Sequence, residues 1–303
     1  MKSIIISICL VTLMTAVGHS QNTKSQKVTL PNGWTLSPAG RSLPLGDLPL
    51  NIAVSKSKKL MAVTNNGQSV QSIQLINPVT EKVLDNVVIP NSWYGLKFSA
   101  DEKYLYASGG NDNWILKYSV ANKKLVLADS IKLGKKWPEK ISPAGIEIDD
   151  PAKKMFIVTK ENNSLYIVDL VTKKIIHQQS LIEPAYTCLL SNNKKELYIS
   201  LWGGKKVLVF DIASKKIISE INVGENPNEL LLSKNGKILF VANAGDNSVS
   251  VIDIAQRKVL EVLNAALYPD ALTGSASNGL ALSEDQASLY VANADNNCLA
   301  VLM

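Results

Sequence analysis

The hydrophobic and polar positions of this chain form a pattern that repeats. Within residues 224–263, four short runs of aliphatic and β-branched residues lie at 229–232, 238–242, 249–253 and 259–263. They are separated by Lys234-Asn235-Gly236, by the segment from Asn243 to Asn247, and by Ala255-Gln256-Arg257. Short apolar runs bounded by Gly, Asn and Asp read as strands joined by tight turns. Nothing between them keeps a helical period long enough to matter. The same unit recurs along the chain. Anchored on the Ser or Asp before its first turn, it falls at Ser55, Ser99, Asp149, Ser191, Ser233 and Ser283, at spacings of 44, 50, 42, 42 and 50. A second anchor six residues earlier keeps register at Pro49, Trp93, Pro143, Ala185, Pro227 and Ser277. A lone four-stranded meander buries one face only, so copies must stack on one another. The expected fold is therefore an all-β propeller of four-stranded antiparallel blades, with repeats beginning near 46, 93, 142, 183, 225 and 277.

The N-terminus reads differently. Lys2 precedes an uncharged apolar run over 4–17, and small residues follow at Gly18 and Ser20. This is the layout of an export signal covering 1–20, which predicts a periplasmic or extracellular protein beginning near residue 21. The run is too short to span a bilayer, and no later segment is long and apolar enough to do so. Residues 28–45 lead into the first repeat as an outer strand leads into a following blade. Repeat six supplies three strands and stops at Met303. An orphan strand at one end and an incomplete blade at the other permit a six-bladed ring closed by the N-terminal strand.

Composition narrows the chemistry. The chain has 303 residues, 46% hydrophobic and 19% charged, with a net charge of +6, enough apolar residues for a large core without crosslinks. Two histidines and three cysteines cannot build a His-rich metal centre, a hydrolytic triad or a disulfide framework. No metal or cofactor is expected, and this chain by itself is not expected to be an enzyme. In a meander, alternate connections emerge on the same side. One face thus collects the lysine turns Lys58-Lys59, Lys123-Lys124, Lys173-Lys174 and Lys215-Lys216. Arginine, the better residue for bidentate phosphate and base contacts, appears only at Arg41 and Arg257, so nucleic acid is not the expected partner. The opposite face gathers the binding candidates: Trp93, Tyr94, Trp137, Tyr186, Trp202, Asn228, Glu229, Asn243 and Asn293, with Glu147 near the channel. Its two longest loops carry Trp137-Pro138 and Tyr268-Pro269. The partner they would recognise is a small molecule or a protein, unspecified by sequence. Asp169, Asp211 and Asp253, one per blade at the end of a strand, read as turn caps. His177 is expected at the surface of an outer strand.

The residues Phe240-Val241-Ala242-Asn243, the opening Gly224-x-x-Pro227 and the run from Val249 to Asp253 resemble the YVTN family of β-propellers over about 28–303. The stretch Leu30-Pro-Asn-Gly-Trp34-x-x-Ser37-Pro-Ala-Gly40 is similar to a subgroup of secreted bacterial propellers fused to a C-terminal phosphoesterase of the alkaline phosphatase superfamily. The resemblance implies a binding or scaffold role through loops at one channel mouth, and a phosphoesterase domain as the fused partner. It also implies seven blades, placing the last beyond residue 303 and leaving 299–302 as an open edge. Its alternatives are a lactonase-like hydrolase using Glu147 and Glu229, and a nucleic-acid-binding propeller. Thr159 and Leu201 stand where the family motif has the equivalent of Asn243.

Overall fold

The computed structural model describes residues 28–29, 33, 35–36, 41–268 and 270–303. The chain divides into two compact units, Met1–Ser42 and Leu43–Met303. In the first, Val28–Thr29 pairs antiparallel with Thr35–Leu36. The expected export signal lies outside the described residues, as does much of the expected outer strand. Of that segment, 28–45, the described strand residues 28–29 and 35–36 pair with each other as a short hairpin, and residues 41–45 are not in a strand.

The second unit is a propeller array of antiparallel sheets. Blade one comprises Pro49–Val54, Met61–Asn65, Ser72–Asn77 and Lys82–Val88. Blade two comprises Leu96–Phe98, Tyr104–Ser108, Trp114–Ala121 and Lys124–Lys132. Blade three runs through Pro143–Asp149, Lys154–Thr159, Ser164–Asp169 and Ile175–Ser180. Blade four runs through Ala185–Leu190, Glu196–Leu201, Lys206–Asp211 and Lys216–Asn222. Blade five follows as Pro227–Leu232, Ile238–Asn243, Ser248–Asp253 and Lys258–Asn264. Blade six has Ser277–Leu282, Leu289–Asn293 and Cys298–Leu302. Five sheets thus have four strands and the sixth has three among the described residues. Every pairing joins sequence neighbours, as the meander pattern requires. The only helical turn among the described residues is the 3-10 segment Gly110–Asp112.

The repeat anchors are turn chemistry. Ser55, Ser99, Ser191, Ser233 and Ser283 each accept, on Oγ, a hydrogen bond from the backbone N–H five residues on, at 2.9–3.1 Å. Three residues after each of these serines, Lys58, Glu102, Lys194, Gly236 and Gln286 turn the chain with positive φ. The carboxylates of Asp169, Asp211 and Asp253 accept the N–H three residues on at 2.6–2.7 Å, which is the expected capping. Blade five's first strand begins at Pro227, two residues before its apolar run at 229–232. In blade five the register slips between Pro227 and Leu230, so an extra residue bulges there.

The core lies between blades. In blades three and four the second and third strands are buried on both faces, and the outer strand of blade four alternates between exposed and half-buried or buried positions. In blade six the third strand has Leu299 and Val301 exposed. Phe156, Leu165 and Ile167 of blade three pack against Cys188, Leu197, Leu208 and Phe210 of blade four. Each such side chain contributes about 1.5–3 kcal/mol by burial, so every blade depends on its neighbours. His177 departs from expectation: it is half-buried, its ring 6.0 Å from that of Phe210, and burial lowers its pKa. The outer strand there is covered on that side by the adjacent blade.

Candidate functional site

Counting back from the anchors places the innermost side chains in layers. Five residues before each anchor stand Leu50, Tyr94, Ala144, Tyr186, Asn228 and Asn278; one residue later stand Asn51, Gly95, Gly145, Thr187, Glu229 and Gly279. Glycine at 145 is a packing requirement. A Cβ there would lie 2.4 Å from the Thr187 Cα, so only glycine lets blades three and four approach at the axis. Where two registers carry long side chains instead, these cross the channel. The Tyr94 hydroxyl of blade two donates to Glu229 Oε2 of blade five, and the Tyr94 and Tyr186 ring centroids are 4.5 Å apart. Side chains of blades two, four and five therefore converge, which requires the array to bend around an axis.

Beside this cluster lies a chamber of about 340 Å³ lined by the first strands of blades one to five. Tyr94, Lys97, Glu147, Thr187, Cys188 and Glu229 supply its functional groups. Lys97 Nζ donates to Glu147 Oε2 at 2.9 Å, and the Ile148 N–H donates to Glu147 Oε1 at 2.9 Å. Burial by itself would lower the Lys97 pKa; the charge and hydrogen bond of Glu147 outweigh it and hold the ammonium above its ordinary value. Glu229 has no such counter-ion among the described residues. The channel walls desolvate its carboxyl and push its pKa up to about 8. The same effect lifts the Tyr186 hydroxyl to about 12 and raises the Cys188 thiol.

A second concavity, about 630 Å³, opens among the loops of blades one to three. Trp93 lies in it, half-buried, with Lys160 Nζ 4.9 Å from its ring centroid. Around it stand Gln71, Asn91, Ser92 and Asn111. Gln71 Oε1 accepts the Ser92 N–H at 2.7 Å, and Asn111 Oδ1 accepts the Ser142 hydroxyl at 2.9 Å. Consecutive residues, Trp93 and Tyr94, thus face different spaces: the loop groove and the channel chamber.

The other candidates are placed as follows. Trp137 and Trp202 lie outside both spaces, on loops of the same face, 59% and 45% exposed. Asn228 is buried and donates to Asn278 Oδ1 at 2.5 Å, tying blades five and six. Asn243 donates to the hydroxyls of Ser248 and Ser250 at 2.8 and 2.9 Å. Gly224 lies against its amide, where a Cβ would stand 2.6 Å from Cγ, which explains the coupled Gly-x-x-Pro and Asn signals as packing. Asn293 bridges the Ala265 carbonyl and the Ser277 hydroxyl. Glu147 and Glu229 line one chamber, but Glu147 lies two registers further along and is bound to Lys97. Sequence reasoning missed Lys97, although a signal existed. Its register otherwise holds Ala53, Leu189, Leu231 and Ala281, so Lys97 and Glu147 are adjacent charges of opposite sign in an apolar layer.

No protein-family model matches this sequence, and a search of curated proteins returns no match. Among solved structures, a chain of hydrazine synthase from Kuenenia stuttgartiensis is similar, with a TM-score of 0.70 and 16% identity. The similarity covers 87% of this chain and 79% of that one. At this identity it shows a shared fold, a β-propeller.

Proposed function

We propose that this chain is an exported binding domain that captures its ligand in the loop groove around Trp93. The observation that carries this reading is the groove's composition. An aromatic ring stands among carboxamides and hydroxyls that converge from the loops of three blades, and the two charged side chains of the lining, Lys160 and Glu161, are of opposite sign. Such a surface suits a neutral ligand rich in hydroxyl or amide groups, which the ring contacts and the side chains orient. Export is supported by the basic-then-apolar pattern over residues 1–20. Membership of the YVTN propellers is supported by the repeat motif, and association with a phosphoesterase domain by the resemblance of residues 30–40. In that setting the propeller would hold a partner or substrate near a catalytic domain that acts on it.

Arrays of neutral oligosaccharides and uncharged peptides test the reading. The wild-type protein is expected to retain one class of probe. Trp93→Ala should weaken that binding at least tenfold, a central aromatic contact being worth ~2 kcal/mol, with little change in Tm. A Trp93→Ala protein that binds as well as the wild type would defeat the assignment.

A further inference from the structure

We propose that the channel chamber is a second binding site, separate from the loop groove, which takes a small organic ammonium ion on the Glu229 carboxylate beside the Tyr94 ring. The geometry carries the inference. Glu229 uses Oε2 for the Tyr94 hydroxyl, while Oε1 has no hydrogen-bond partner and Glu229 has no salt-bridge partner among the described residues. The carboxyl lines a chamber of about 340 Å³. A half-buried carboxyl that lines a chamber without a counter-ion is a costly arrangement in a structural role, and a bound cation offsets part of that cost. Tyr94 lines the same chamber, so an aromatic ring and a carboxylate stand together there, the combination that recognises ammonium groups. Tyr186, packed on Tyr94, fixes the orientation of that ring.

The other groups around Glu229 leave this charge uncompensated. Lys97 and Glu147, on blades two and three, neutralise each other. Cys188 and Tyr186 of blade four are held neutral by burial. Lys56 of blade one is exposed at the rim. Ionised Glu229 would therefore leave the chamber with one net negative charge inside its rim. A cation balances that charge, whereas an anion would have to compete with it. The ligand must be small and monovalent, since one unpaired carboxyl and one ring define the site.

Calorimetric titration of the full chain with tetramethylammonium, methylammonium and acetate tests the proposal. Tetramethylammonium carries no titratable proton, so any pH dependence belongs to the protein. The ammonium probes are expected to bind and acetate is not. Affinity should rise about tenfold per pH unit below the Glu229 pKa and level off above about pH 8. Binding near pH 6.5 should release close to one proton, read from buffers of different ionisation enthalpy, and almost none near pH 9. Glu229→Gln should lose at least tenfold in affinity, while Trp93→Ala, which touches only the groove, should bind tetramethylammonium as the wild type does. Acetate binding that strengthens at low pH would overturn the proposal. So would ammonium binding unchanged in Glu229→Gln, or no binding by either ammonium probe. If Glu229→Gln fails to fold, proton release by the wild type decides, and its absence at pH 6.5 counts against the site.

Discussion

Glu229 couples the stability of this protein to pH. Its pKa is raised to about 8 by desolvation, against an ordinary value near 4.5 in the unfolded chain. Below both values the carboxyl is neutral in either state and carries no penalty. As pH rises through 4.5 the unfolded chain ionises while the folded one stays protonated, so stability falls until about pH 8 and then levels. Glu229→Gln removes this term. The variant should match the wild type near pH 4.5 and exceed its Tm increasingly up to pH 8, as followed by thermal unfolding at a series of pH values. A Tm difference independent of pH would show that the carboxyl is not desolvated. Individual residues were legible in the sequence where their role repeats. Ser233 and Asp253 announce turns because the same side-chain-to-backbone bond recurs blade after blade. Lys97 and Thr187 were not, because what they do depends on which strand lies across the channel, and local pattern does not carry that information.

Two elements break the repeat, and both are fastened by one device. The long loops after blades two and five are each held by a buried asparagine with positive φ in the loop between the second and third strands of that blade. Asn113 donates to the carbonyls of Lys135 and Glu139 at 2.6 Å and accepts the N–H groups of Ile141 and Ser142 at 3.2 and 2.9 Å. Asn247 donates to the Leu272 carbonyl at 2.9 Å and accepts the N–H groups of Gly274 and Ser275. Asn113→Ala leaves buried backbone donors unpaired at a cost of about 2–4 kcal/mol. The expected result is a lower urea midpoint and faster proteolysis within residues 134–141, with the other blades as resistant as before. Uniform loss of protection across all blades would contradict local latching. The spacing of 50 residues revealed both insertions, and the turn ending at Asn247 was marked as well. That one pins the other could not be read, since the bonds span 22 to 29 residues.

At the scale of the whole molecule the two ends of the propeller array differ in charge. The turns after first and third strands are rich in lysine, including Lys58, Lys123, Lys173 and Lys215, whereas the opposite loops carry Asp47, Glu183, Glu225, Asp246 and Asp295. Several basic side chains on the turn face serve as inter-blade ties: Lys194 to Asp149 at 2.7 Å, Lys173 to Asp129 at 2.5 Å, and Arg257 to Glu196 at 2.9 Å. Repetition made the fold class and blade order readable, because each blade shows the same alternation of strand and turn. The groove and chamber emerge only when blades distant in sequence are brought together.

The loop face, not the turn face, is the proposed binding surface. The most direct measurement compares three proteins by calorimetry against the strongest probe from the arrays: the wild type, Trp93→Ala, and a turn-face variant with Lys123, Lys124, Lys215 and Lys216 changed to Glu. The turn-face variant should bind within about twofold of the wild type while Trp93→Ala loses at least tenfold. Loss of binding in the turn-face variant, with Trp93→Ala unimpaired, would place recognition on the opposite end of the molecule and contradict the account.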